Sequence, residues 1–236
     1  MIFHAPLELA RLDRRYKRFL ADVTFADGRA VTAHCANPGA MLGLAEPGMT
    51  IGLLPARNPK AKLPYSWELC HADGDWVGIN TGRPNRLVEE ALSGDAIPEL
   101  SGYETRRREV KYGENSRIDL LLEAPGRPQC YVEVKNVHLM RRPGVAEFPD
   151  SVTARGAKHL DELAAMVSLG YRAVMLFVVQ RNDCASLTLA HDIDPKYSEA
   201  MSRAVSAGVH VLCYTCRVGV TEISINRRLP FEWQGA

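Results

Sequence analysis

The chain has 236 residues, 46% of them hydrophobic, and its 29 Lys and Arg nearly balance 28 Asp and Glu. This composition supplies a real core and excludes global disorder. The near-neutral charge means that any nucleic-acid surface has to be a local patch.

The length allows one large domain or two small ones. No apolar run reaches bilayer length, and residues 173–179 suit a buried strand instead. The N-terminus has no basic stretch leading into the apolar core of a secretory leader. Six scattered cysteines make no disulfide framework, so a reducing cytoplasm is the expected compartment, without membrane association.

Residues 12–23 read as one strand-like run, followed by a turn at Asp27-Gly28 and a second run over 30–34. On the first run Arg14, Tyr16 and Arg18 share one face, and Arg15, Lys17 and Phe19 the other. Cations interleaved with aromatics suit a nucleic acid, with charge on phosphates and a ring for stacking, so Arg14, Arg15, Tyr16, Lys17 and Arg18 are contact candidates. The competing reading is a solvated edge strand guarded by charge.

Asn37-Pro38-Gly39, Glu46-Pro47-Gly48 and Asn58-Pro59-Lys60 are turn signals between short apolar pieces. Residues 64–80 read as another hairpin, turning at Asp73-Gly74. Short strands with closely spaced turns predict a small β-barrel, with an OB-fold as the natural candidate. His34 and Cys35 lack partners at metal-ligand spacing and read as ordinary packed residues.

The pattern changes at Thr81-Gly82-Arg83-Pro84, which places a domain boundary near residue 82, with domains over 1–82 and 83–236. Leu87, Val88, Ala91 and Leu92 recur at helical spacing, with Asn85 as the expected N-cap and Gly94 as the stop. Residues 103–112 are strand-like and basic. Residues 116–122 and 130–137 form a hairpin, and 140–150 a loop. A helix over about 151–169 follows, with Arg155, Lys158 and His159 in its early turns, where basic groups oppose the macrodipole. A strand over 171–180, apolar on both faces, precedes a helix from Asp194-Pro195 to about Ala207. Strands over 209–213 and 217–225 close the chain. This order predicts an α/β domain with a mixed sheet.

The hairpin 116–137 holds the candidate chemistry. Asp119 interrupts Ile118, Leu120, Leu121 and Leu122; Glu133 and Lys135 interrupt Tyr131, Val132, Val134 and Val137. If the turn centres on Gly126, Asp119 lies opposite Glu133, with Lys135 on the same face. Ile118, Leu120, Leu122, Val132 and Val134 then face the core. Two carboxylates so placed repel unless a divalent cation bridges them. An acid followed by Glu-x-Lys on the next strand can hold Mg2+ or Mn2+ against a phosphodiester, with the ammonium steadying developing charge. Glu90, on the preceding helix, is a candidate fourth group. The plainer reading of the strand pair is a surface ion pair of Glu133 with Lys135 or Arg117. Cys213 and Cys216 have redox or zinc-knuckle spacing, but a strand sends them to opposite faces.

Ile118-Asp119 and Glu133-Val134-Lys135 resemble the core of the PD-(D/E)xK nuclease superfamily. Over nearly its whole length the chain resembles the sugar fermentation stimulation protein A (SfsA) family. The resemblance runs through RRYKRFLADV (14–23), HCANPGAM (34–41), WEL (67–69), NRLVEEAL (85–92), ELSGY (99–103) and EVKYGENSRIDLLL (109–122). It continues in CYVEVKNVHL (130–139), FPDSVTARGAKHLDEL (148–163) and HDIDPKY (191–197). It implies an N-terminal OB-like barrel, a C-terminal restriction-endonuclease-like α/β domain, DNA binding, and a regulatory role in sugar (maltose) metabolism. Ala157 departs from the pattern: many members carry Gln there, a side chain related nucleases use near the site.

Two function classes follow: a DNA-binding regulator with a nuclease-like core, or a Mg2+- or Mn2+-dependent DNA endonuclease. In the regulator reading the nuclease-like core is a binding scaffold; in the endonuclease reading Asp119 and Glu133 are the metal ligands and Asp119, Glu133, Lys135 and Glu90 the catalytic candidates. Arg86, Arg117, Arg155 and Lys158 are further DNA contacts. A third class is a module that binds a small molecule or a protein. The oligomeric state stays open, a homodimer among the options.

Overall fold

The computed structural model describes residues 1–58, 60–113 and 116–232. Its N-terminal strands are β1 (Glu8–Tyr16), β2 (Leu20–Phe25), β3 (Ala30–Cys35), β4 (Thr50–Pro55), β5 (Tyr65–Ala72) and β6 (Asp75–Gly78). They run in the order β3-β2-β1-β4-β5-β6, and a parallel pairing of His34 and Cys35 with Ser66 and Trp67 joins β3 to β5. That pairing closes β1–β5 into a barrel, which removes the sheet edges. Leu12, Val23, Ile51, Leu53 and Trp67 fill it with no exposed surface. The fully buried Trp67 indole donates to the Leu69 carbonyl at 2.8 Å, as a buried ring N–H must.

The basic run is not one strand. It breaks at Lys17 and Arg18, whose φ angles are 47° and 63°, and Tyr16 pairs with Leu20 across a hairpin. The predicted sharing of faces therefore stops at Tyr16, and Lys17, Arg18 and Phe19 stand at the hairpin's tip. The Asp27-Gly28 turn is present, with Gly28 at φ 86° and the Asp27 carboxylate accepting from the Arg29 amide. Pro59, within one of the predicted turns, lies outside the described residues.

The second half begins with α1 (Pro84–Ser93), then β7 (Thr105–Tyr112), β8 (Ser116–Glu123) and β9 (Cys130–Val137). Next come β10 (Leu139–Arg142), β11 (Val145–Phe148), α2 (Ala154–Ser168), β12 (Arg172–Val179) and β13 (Ser186–Leu189). The chain continues with α3 (Pro195–Ser206), β14 (His210–Val218) and β15 (Ile223–Arg228). The main sheet has the order β15-β14-β12-β9-β8-β7. Strand β12 is parallel to both neighbours, and the outer pairs are antiparallel, so the sheet is mixed.

One sheet face packs on α1 through Val132, Val174, Leu176 and Leu212, with Leu87, Val88 and Leu92 of the helix. The other packs on α2 and α3 through Met175, Phe177 and Val179, with Leu160, Leu163 and Tyr197. Both faces of β12 are buried, which explains its unbroken apolar run. The six cysteines are free and buried, and Cys213 and Cys216 lie in the two opposite cores.

The segment read as a loop over 140–150 is instead the short hairpin β10–β11, extended by β13 into a three-stranded sheet. Arg83 rather than Asn85 occupies the N-cap of α1, with Pro84 at the first helical position. Thr153 caps α2 by accepting from the Gly156 amide. Asp194 caps α3 and also accepts from the Thr153 amide at 2.8 Å. Among the described residues no helix is long and apolar enough to cross a membrane.

Candidate metal and nucleic-acid site

The site grows out of a fault in the β8–β9 pairing. The ladder runs from Leu122↔Cys130 to Leu120↔Val132 and ends there. Beyond it the Asp119 carboxylate accepts the Val134 amide at 2.8 Å, taking the place of a main-chain carbonyl. The register is the predicted one centred on Gly126, and the ladder stops one pair short of Asp119 and Glu133. The core assignment of Ile118 does change: it packs on the α2 side, whereas Leu120 and Leu122 pack on the α1 side. The clustering survives, because Asp119, Glu133 and Lys135 line one cleft of about 1050 Å3 between the barrel and the α/β domain.

Each charge is held by a specific partner. The second oxygen of Asp119 accepts from the Asn85 amide at 2.8 Å, so the residue expected to cap α1 anchors the site. Burial, with the Glu133 charge adding to it, holds the Asp119 carboxyl above its ordinary range. Glu133 is only 2% exposed. Burial works to raise it as well, but hydrogen bonds from His159 and Lys135 outweigh that and keep it below the usual carboxylate range. Lys135 Nζ stands 2.6 Å from Glu133 Oε1, and His159 Nδ1 bonds the same oxygen.

The tautomer of His159 follows from its neighbours. Arg155 Nε lies 3.3 Å from His159 Nε2, and a guanidinium can only donate. Nε2 is therefore the acceptor and Nδ1–H donates to Glu133. The result is lopsided: Oε1 of Glu133 receives two donors, while buried Oε2 has none.

That orphaned oxygen, beside a second carboxylate with a raised pKa, fits a hard divalent cation. Among the described residues no three His, Cys, Asp or Glu side chains surround a common point. Asp119 and Glu133 would supply two positions and leave the rest to water and phosphate oxygens, as Mg2+ prefers.

A second network crosses the cleft floor. Gln180 donates to the Asn80 carbonyl and to Asn136 Oδ1. Asn136 Nδ2 donates to His138 Nδ1 at 2.9 Å, so His138 Nε2–H points to Asp150, 3.2 Å away. Asp150 also accepts from the Met41 amide of the barrel. Burial opposes its charge, but His138 and Met41 prevail and lower its pKa to about 2. Gly39 fits because it has no side chain; a Cβ there would lie 2.3 Å from Asp150 Oδ2.

The basic candidates separate by partner. Lys17, Arg18 and Arg155 line the cleft with exposed side chains. Arg15 also lines it, but its guanidinium donates to the carbonyls of Arg18, Asn37, Gly39 and Ala40. Its first role is to fasten the loop 37–40. Arg15→Ala is expected to lower the unfolding free energy by about 1–2 kcal/mol and to speed amide exchange over 37–41. Lys17→Ala should leave both unchanged, and equal effects of the two variants would refute the anchoring role.

Tyr16 lines the cleft and donates to Asp22. Arg14 pairs with Asp22 at 2.8 Å. Arg117 reaches the Glu109 carbonyl and Lys158 stands by Glu162; neither lines the cleft. Glu90 is also elsewhere, bonded to the Met1 ammonium at 2.6 Å and to Arg86 at 2.9 Å. The fourth group at the site is Asn85, from one turn earlier on α1, and the fifth is His159. The sequence signal for His159 was a basic residue placed against the helix dipole.

This architecture defines a two-domain class: an OB barrel followed by a restriction-endonuclease-like α/β domain, with a charged cleft between them. The SfsA N-terminal OB domain matches residues 14–79, and the sugar fermentation stimulation protein RE domain matches 82–222. The chain belongs to the SfsA family. It is 56% identical over 232 residues to the sugar fermentation stimulation protein homolog of Paramagnetospirillum magneticum, covering 98% of each chain. To the homolog of Rhodospirillum centenum it is 57% identical over 229 residues, covering 97% of this chain and 98% of that one. The solved structure of Pyrococcus furiosus SfsA in complex with Ca2+ superposes with a TM-score of 0.90 at 27% identity, covering 98% of both chains.

Proposed function

We propose that this protein binds DNA in the cleft between its domains, with a divalent cation on Asp119 and Glu133 facing a backbone phosphate. The observation that carries this reading is the pairing of two carboxylates, one with an orphaned buried oxygen, with a rim of exposed cations. The Ca2+ of the Pyrococcus relative supports the cation. Mg2+ or Mn2+ is the physiological candidate, given a site with few protein ligands. The family description leads us to assign the DNA to genes of sugar metabolism, such as maltose use. Six free buried thiols fit a reducing cytoplasm.

The protein's own groups divide the work. Lys17, Arg18 and Arg155 neutralise phosphates along the cleft. Asn85 and the Val134 amide fix the Asp119 carboxylate, and His159 fixes Glu133. Lys135 brings a positive charge to the point where a phosphate would lie.

Labelled duplex DNA titrated by fluorescence anisotropy at several salt concentrations tests the binding. Wild type should lose affinity steeply with salt. Lys17→Glu with Arg18→Glu should weaken binding at least tenfold and reduce the log–log salt slope by about 2, near one unit per phosphate contact. An unchanged slope would remove the cleft from the DNA path.

The second reading is hydrolysis of the bound strand, favoured by Lys135 Nζ standing 2.6 Å from Glu133, where it can stabilise charge on a phosphoryl group. A cation held there would polarise the phosphodiester and acidify a water. Nicking of supercoiled DNA in Mg2+ or Mn2+ that disappears in Asp119→Asn, with binding retained, would establish it. Nicking undiminished in that variant would exclude it.

A further inference from the structure

A second cavity, of about 450 Å3, shares no lining residue with the cleft. It lies where β3, β4 and β5 meet the N-terminal segment and the first turn of α1. Nitrogen-bearing side chains surround it: His4, His34, Arg57, Arg83 and Arg86.

Among the described residues no Asp or Glu lines this cavity. The two carboxylates that reach its cations are already committed. Glu68, fully buried, takes Arg83 Nε at 2.8 Å, Arg83 Nη2 at 2.6 Å and the Asn80 amide. Glu90 is shared by the Met1 ammonium and Arg86. Arg57 and His34 have no acidic partner among the described residues. Met1, Arg57, Arg83 and Arg86 therefore leave a surplus of two positive charges over Glu68 and Glu90.

Among the described residues the remaining guanidinium donors face no protein acceptor. Arg83 uses only Nε and Nη2, and Arg86 only Nε. His4 Nε2 donates to the Pro55 carbonyl at 3.0 Å, so Nδ1 of the neutral ring is an acceptor and adds no donor. Leu54 and Tyr65 add apolar wall. The Tyr65 hydroxyl is taken by Glu8 and Arg29, so this residue offers ring surface rather than a polar tip. The volume lies within the range of small-molecule sites. A surplus of two charges with guanidinium N–H groups left over on Arg83 and Arg86 matches a phosphate monoester, which carries −1.5 to −2 at neutral pH, better than a phosphodiester with a single charge.

We propose that this cavity binds a phosphate monoester, either a free molecule of mononucleotide size or the 5′-phosphate of a DNA end. This goes beyond DNA binding in the cleft and does not depend on it.

Isothermal titration of the full chain with AMP, adenosine and inorganic phosphate tests the chemistry. AMP should bind and adenosine should not. Arg57→Glu, at an exposed position, should weaken AMP binding about tenfold or more, and His34→Ala should weaken it less. Lys17→Glu with Arg18→Glu should leave AMP binding intact, which separates this site from the cleft. Oligonucleotides with and without a 5′-phosphate distinguish the sources. A preference for the phosphorylated end that disappears in Arg57→Glu assigns the site to DNA ends. A response to AMP alone assigns it to a free monoester. If adenosine matches AMP, or if neither AMP nor the 5′-phosphate is affected by Arg57→Glu, the proposal is wrong.

Discussion

Asp119→Asn is expected to abolish divalent-cation binding while making the cation-free protein more stable at neutral pH. The asparagine can still accept from the Val134 amide, so the splayed strand pair keeps its shape. What disappears is a buried charge facing Glu133, and the Asn85 amide turns over to accept from the new NH2 where it had donated to the carboxylate. The sign follows from the raised pKa of Asp119. A carboxyl that holds its proton more tightly when folded adds stability at low pH and loses it as pH rises through the folded pKa. The melting temperature of the variant should therefore exceed that of wild type at pH 7, by roughly 2–4 °C per kcal/mol of repulsion removed. The two should converge as acid protonates the wild-type carboxyl. Mn2+ or Ca2+ should reverse the order, because only wild type gains the stabilisation that ligand binding adds. Scanning calorimetry at several pH values, with and without cation, reads all of this. A variant less stable than wild type without cation at pH 7 would show Asp119 to be a structural hydrogen-bonding group rather than a strained ligand.

The largest loss should come from His159. Glu133 is charged and buried, and one of its two donors is His159 Nδ1. His159→Ala strands part of that charge and should cost on the order of 3 kcal/mol in urea unfolding. His159→Asn is the telling control, because its amide N–H sits where Nδ1–H does and should restore most of the stability and the cation affinity. His159→Gln places its amide at the Nε2 position, out of reach of Glu133, and should behave like alanine. Imidazole 15N shifts give a second readout: wild type should show the Nδ1–H tautomer imposed by Arg155. Equal effects of Asn and Gln would mean that His159 serves only as packing.

What could be read from sequence was whatever depends on short-range periodicity. Asp119, Glu133 and Lys135 were visible because a charge set into an apolar strand of period two has nowhere to hide. The apolar stretch of β12 and the Asp194 cap were visible for similar reasons. The β1–β2 hairpin was missed because its turn has no Gly or Asn-Gly; Lys17 and Arg18 adopt positive φ themselves. The β10–β11 hairpin was missed because its strands are four residues each and one is completed by β13, about 40 residues on. Asn85 fits the residue type of a helix cap, and only the approach of β8 shows that it serves Asp119 instead. Glu90 looked suitable by its place on the helix before these strands, but the face of α1 that carries it turns toward Met1. The relay from Gln180 to Asp150 takes its longest step between Asn136 and Gln180, on β9 and at the end of β12, which pair only in the folded sheet, and no local pattern encodes it.

The bonds across the domain junction have a thermodynamic consequence. Arg181, 1% exposed, pairs with Asp73 at 2.8 Å, and Asn182 donates to Asp75. Gly78 donates to the Gln180 carbonyl, and Met41 to Asp150. Each tie joins a barrel residue to one about a hundred positions away, and the buried Arg181, which Asp183 of its own domain also holds at 2.7 Å, would lose the Asp73 half of its pairing if the barrel left. Barrel and sheet should therefore unfold together, in a single calorimetric transition whose van't Hoff and calorimetric enthalpies agree. The cleft between them should then keep one width, and a ligand that enters it has to fit that width.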